Sequence, residues 1–152
     1  MAIFICVVAL AAIAAGCGSS DDDGTTVILT KTEYVKKADA ICTKASQKRT
    51  KALQDYLEGS KIDLEKALPK AKEEEIINDV ALPPFQVETE QLAALGAPEG
   101  KEDQAEELVE ALEGAIASIE ANSDGFLDGS GGQFDEAAAV GEELGLKVCG
   151  QF

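Results

Sequence analysis

Apolar residues along this chain recur at intervals of three and four, in runs separated by helix-stop signals. The first run opens at Thr30 and Glu33, spaced as a capping box, with Leu29 and Tyr34 placed to close a hydrophobic staple around it. Tyr34/Val35, Ala38, Ile41/Cys42, Ala45, Ala52/Leu53 and Tyr56/Leu57 then form one stripe of a long helix ended by Gly59. Arg49 falls on that stripe as an exception. Leu64, Leu68, Ala71, Ile76, Ile77 and Val80 continue the helical pattern, with Pro69 confined to a start or a kink. "LPPF" at 82–85 predicts a break, because Pro83 disfavours helical dihedrals at Leu82. Pro84 can open a further helix to Leu95, stopped by Gly96, so the middle reads as one kinked helix or as two.

The next helix is the cleanest. Ala105, Leu108/Val109, Leu112, Ala115/Ile116 and Ile119 line one face, while Glu106, Glu110 and Glu113 line another, until the pattern ends at "NSDG". After the Gly-rich "LDGSGG" a short last helix spans about Phe134 to Leu144, with Gly145 at its C-terminal cap. No alternating stretch is long enough for a sheet strand. The expected fold is all-α: an antiparallel bundle of about four helices, in a single domain.

Composition narrows what such a bundle can do. The apolar residues are rich in Ala and poor in aromatics, with no Trp, as helical proteins are. A formal net charge of −16 repels nucleic acid, and anionic lipid headgroups equally. The chain has no histidine, which removes the commonest general base, Ser-His and Cys-His nucleophile pairs, and the commonest transition-metal ligand. Eleven of the thirteen basic residues lie between Lys31 and Lys72, whereas twenty acidic residues follow from Glu73 onward. That division predicts pairing of a basic first helix with acidic neighbours, or an acidic docking face for a basic partner.

The N-terminus carries the most specific signal. "AIFICVVALAAIAA" at 2–15 is apolar without interruption, too short to span a membrane comfortably, and of the length of a secretory-signal core. An uncleaved anchor and a buried helix are the alternatives. "AAGC" follows, Ala14 to Cys17, and resembles the lipobox of bacterial lipoproteins. The resemblance implies that the signal (1–16) is cut off and that Cys17, diacylated on sulfur, begins the mature chain. "GSSDDDGTT" then suits a flexible acidic tether over 17–29, leaving 30–152 as the bundle domain. The lipobox resemblance also implies an exported protein, anchored by lipid to the outer face of the cytoplasmic membrane. "YVKKADAICTKA", "LAALGAPEG" and "GLKVCG" are similar in style to the small, Cys-paired helical lipoproteins of unknown function of high-GC Gram-positive bacteria.

Four cysteines fit this scheme. Cys6 leaves with the signal, Cys17 takes the lipid, and Cys42 and Cys149 remain to pair in an oxidising compartment. Two buried thiols are the alternative. A catalytic thiol would lack a histidine to activate it.

Little else carries chemistry. Glu73–Glu75 and the Glu106/Glu110/Glu113 stripe read as solvated acidic faces rather than metal ligands. "DGFLDGSGGQFD" lines up with a twelve-residue calcium loop at Asp124, Asp128, Ser130 and Asp135, but Phe126 stands where a ligand is needed and Asp135 where the longer Glu is wanted. A helix-to-helix linker explains the same letters. No catalytic residue and no cofactor are expected. The leading expectation is a non-enzymatic, lipid-anchored binding or scaffolding module whose partners are the membrane, through Cys17, and another envelope protein. The alternative is a small-ligand or calcium-binding protein that uses the loop at Asp124–Asp135 or the break at Pro83–Phe85.

Overall fold

A computed structural model describes residues 29–60, 62 and 68–149. The signal, Cys17, most of the tether and Leu64 lie outside the described residues. Within them the helices are α1 (Lys31–Ser60), α2 (Lys70–Ile76), α3 (Leu82–Ala93), α4 (Glu102–Ala121) and α5 (Asp135–Leu144). A π-helical turn, Ile77–Ala81, joins α2 to α3 without interruption, so the architecture is four helical rods. Tyr56 meets Glu75, Arg49 meets Glu88, and Leu29 bridges Pro98, so α1 runs antiparallel to the α2–α3 rod. The Gln86–Glu120 bond shows α4 returning antiparallel to α3.

α1 begins as its sequence predicts. Glu33 accepts the Thr30 backbone N–H at 3.0 Å while the Thr30 hydroxyl accepts the Glu33 N–H at 3.3 Å. Leu29 and Tyr34 are both buried in one cluster, as a staple requires. Tyr34, Ala38, Cys42 and Ala45 are the buried members of the stripe.

The break expected at "LPPF" is absent. Leu82 keeps helical dihedrals (φ −70°, ψ −41°), and its N–H bonds to the Ile77 carbonyl, five residues back. In a regular α-helix the rings of Pro83 and Pro84 would press on the carbonyls of Asp79 and Val80. The wider π turn loosens this stretch just before the prolines, which stand at the first positions of α3. Packing of Leu82 and Phe85 into the core then outweighs the local preference against a helical residue before proline.

The core has two parts. One, at the end where α1 begins, gathers Tyr34, Ala38, Cys42, Leu92, Leu108, Leu112, Val140 and Leu144. The other, toward the opposite end, gathers Ile77, Leu82, Phe85, Ile116 and Ile119, with Phe126 and Phe134 against it.

The C-terminal tail is tied down three times. Gly145 turns left-handed at φ 86°, and the Leu146 N–H reaches back to the Gly141 carbonyl at 2.9 Å. Asp39 of α1 accepts the N–H groups of Lys147 and Val148 at 3.0 and 2.9 Å. Cys149 then forms the disulfide with Cys42, Cα to Cα 5.3 Å, across 107 residues of sequence. Both cysteines are buried.

Closing so long a loop restricts the unfolded chain by about 4.7 kcal/mol in the loop-entropy model. Removing both sulfurs (Cys42→Ser/Cys149→Ser) is expected to lower Tm by roughly 10 °C or more. The check is a thermal melt followed by circular dichroism, in which an unchanged Tm would show that Asp39 and the core hold the tail unaided.

An aromatic cleft over a buried ion pair

The exception on the α1 stripe leads to the site. Arg49 projects toward α3, where its Nη1 meets Glu88 Oε2 at 2.5 Å. The Glu88 side chain is 1% exposed and that of Arg49 19%. Glu88 lies three residues after Phe85 and four before Leu92, on the buried face of α3. Its second oxygen, Oε1, is buried with no hydrogen-bond partner among the described residues. Lys44 and Lys48 line a crevice of about 180 Å³ beside it. Burial pushes the Glu88 carboxyl above the usual range, and the positive charge and hydrogen bond of Arg49 pull it partly back.

The same guanidinium lies over the Phe85 ring, 3.9 Å from its centroid. Phe134 stacks on Phe85 at 4.6 Å and 23°, and Phe126 meets Phe85 edge-on at 6.2 Å. Three of the five phenylalanines of a chain poor in aromatics are therefore in one place. Around them opens a cleft of about 360 Å³, walled by Arg49, Leu53, Ile76, Phe85, Phe126 and Phe134. Leu53 and Leu127, 40% and 46% exposed, also line it, so two of the exposed large apolar side chains border one opening.

The loop between α4 and α5 supplies half of this wall. Its turns are held by its own backbone: Gly131 N–H to Gly125 O at 3.0 Å, and Asp135 N–H to Gly132 O at 3.1 Å. Gly125 takes φ 76°, and a Cβ there would stand 2.8 Å from the Gly131 nitrogen, so only glycine lets the loop fold back.

The four candidate calcium ligands do not converge in this loop. Asp128 accepts the Ser130 N–H at 2.9 Å, and its bonds to Ser130, side chain before backbone, hold its carboxyl below the usual range. Asp124 faces Lys70 at 3.9 Å, while Asp135 opens α5. Among the described residues no three His, Cys, Asp or Glu side chains are gathered as a metal would require. Glu106, Glu110 and Glu113 are exposed along α4. Among the described residues the charge division gives pairs of both kinds: Arg49 reaches Glu88 on another rod and Lys70 faces Asp124, while Lys51–Asp55 and Lys72–Glu75 lie within one helix each.

The sequence reading named both parts of the cleft, Pro83–Phe85 and the loop at 124–135, as separate alternatives. Folding joins them. It did not identify Glu88, for which the available signal was a carboxylate within the Phe85–Leu92 stripe. In comparison with known proteins, no family model, curated sequence or solved structure matches the chain. No described helix is long and apolar enough to cross a membrane.

The pair makes a signed prediction. Glu88 has a raised carboxyl, so the stability it contributes is present below the unfolded pKa and is lost as pH rises through the folded one. Glu88→Gln should therefore gain on the wild type as pH goes from about 4 to 7. Arg49→Met, which leaves a charged Glu88 buried alone, should cost about 3–5 kcal/mol at neutral pH and less in acid. Urea titrations across that range test both, and pH-independent differences would contradict the account.

Proposed function

We propose that the protein is a non-enzymatic binding module of the cell envelope, held at the outer face of the cytoplasmic membrane by a lipid on Cys17, and that it binds a small molecule in the aromatic cleft. The observation that carries this reading is the cleft itself. Leu53 and Leu127 remain exposed beside three clustered phenylalanines, although a bundle of this size has core enough to bury them. Apolar walls with few polar groups, around a volume of about 360 Å³, are what small-ligand sites have in common. A wider groove of about 550 Å³ between α3 and α4 has a floor of Ala93 and Ala117 and acidic walls at Glu113 and Glu120, with no aromatic ring.

Two further facts support a binding role over a catalytic one. The chain contains no histidine, and among the described residues no three acidic or cysteine side chains are gathered as a metal would require. The anchor rests on the "AAGC" resemblance, and the Cys42–Cys149 disulfide is in keeping with an oxidising compartment.

The anchor and the cleft are tested separately. The intact mass of protein isolated from membranes should correspond to a chain starting at Cys17 plus acyl groups, and should rise by about two mass units on reduction. An uncut chain or a bare Cys17 would refute the anchor. For the cleft, Leu127→Ser should weaken binding of an apolar probe such as butylbenzene several-fold without changing Tm, because Leu127 is exposed.

A further inference from the structure

Resting on the reading of the cleft as a binding site, we infer that its ligand is an uncharged amphiphile: a short hydrocarbon or aryl body carrying a hydrogen-bond acceptor, such as an amide or ester carbonyl, that Arg49 receives. The argument starts from the donors in the wall. A guanidinium carries five N–H groups. One nitrogen of Arg49, Nη1, is engaged by Glu88, and the rest of the fork has no acceptor among the described residues. A mainly apolar cleft, whose other polar side chains are Thr50, Gln133 and Asp135, thus contains a rigid donor group with N–H groups to spare, and leaving them unmet on binding would be costly.

Charge then selects the acceptor. Arg49 is already neutralised by a carboxylate that is 1% exposed, so an arriving anion would find a balanced pair, not a free cation. Asp135 stands on the same cleft, and the whole chain carries a net charge of −16, so an anion also approaches against the field. A cation meets a different obstacle. The Phe85 ring already carries the Arg49 guanidinium 3.9 Å from its centroid and Phe134 stacked on it, so a second cation in the cleft would be set beside a positive charge. What remains is a neutral acceptor at Arg49 with its apolar body against Phe126, Leu53 and Leu127. A volume of about 360 Å³ suits a body of about a dozen non-hydrogen atoms.

The test uses the full native chain in phospholipid nanodiscs, with empty nanodiscs as the blank, and four para-fluorinated probes of one length. These are 4-phenylbutanamide, 4-phenylbutanoate, 4-phenylbutylamine and butylbenzene, and binding is read from the fluorine resonance of each. The amide is expected to bind at least fivefold tighter than the other three. In Arg49→Met/Glu88→Met, which removes both charges together and is the form of substitution that folds best tolerate, the amide should fall to the level of butylbenzene. Amide and butylbenzene binding equally to the native chain would overturn the assignment of the acceptor while leaving the cleft a binding site. Tightest binding by the acid or the amine would overturn it in favour of a charged ligand. Failure of all four probes would remove the proposed binding function as well.

Discussion

A carboxylate withdrawn from water must be met by a cation, and in this protein the meeting of Glu88 with Arg49 organises everything beyond the middle of the bundle. The pair locks α1 to α3 at one height. With Arg49 held there, its guanidinium lies over the Phe85 ring, on which Phe134 stacks and which Phe126 meets edge-on. The loop after α4, folded by its own backbone bonds, is thus joined to α3 by ring packing. An apolar pair of similar volume would join α1 and α3 about as well. Keeping a buried charge pair beside an open apolar cleft is therefore the feature that calls for a role in binding.

The two ends of the bundle use different means. Where α1 begins, small residues such as Ala38, Ala105 and Ala137 let the helices approach closely, and a covalent bond and the Asp39 carboxylate fasten the tail. At the other end the side chains are larger and fewer, with Phe126 and Phe134 packed against them only partly buried beside the open cleft. Close packing at one end gives the molecule a fixed frame, and incomplete covering at the other leaves space to be filled.

Much of the fold could be read from residue patterns because the signals were local. The Thr30–Glu33 box, the four-residue spacing of α4 and the glycine at 145 each depend on neighbours within a turn or two, and the structure places each as read. "LPPF" misled because its outcome depends on tertiary contacts: burial of Leu82 and Phe85 sustains a helix that the dipeptide rule alone would end. The site was legible only in fragments. Arg49 was visible as a charge on an apolar stripe, and Phe126 as a misfit at a calcium-ligand position. Each is a violation of a local pattern, and what joins them is Phe85, which Arg49 covers and Phe126 meets edge-on, through contacts between distant parts of the chain that no local rule encodes.

Leu29 gives the bundle a polarity in space. Its N–H donates to the Ala97 carbonyl at 3.2 Å and its own carbonyl accepts the Glu99 N–H at 2.9 Å, so the chain emerges from the bundle at the joint between α3 and α4. Arg49 lies twenty residues further along α1, about 30 Å away. With the anchor proposed at Cys17, the leash would attach to the end opposite the cleft and reach at most about 40 Å. The cleft would then lie at the end of the domain farther from the bilayer. On that proposed mounting, the proposed ligand site would be set apart from the anchored end by most of the length of α1.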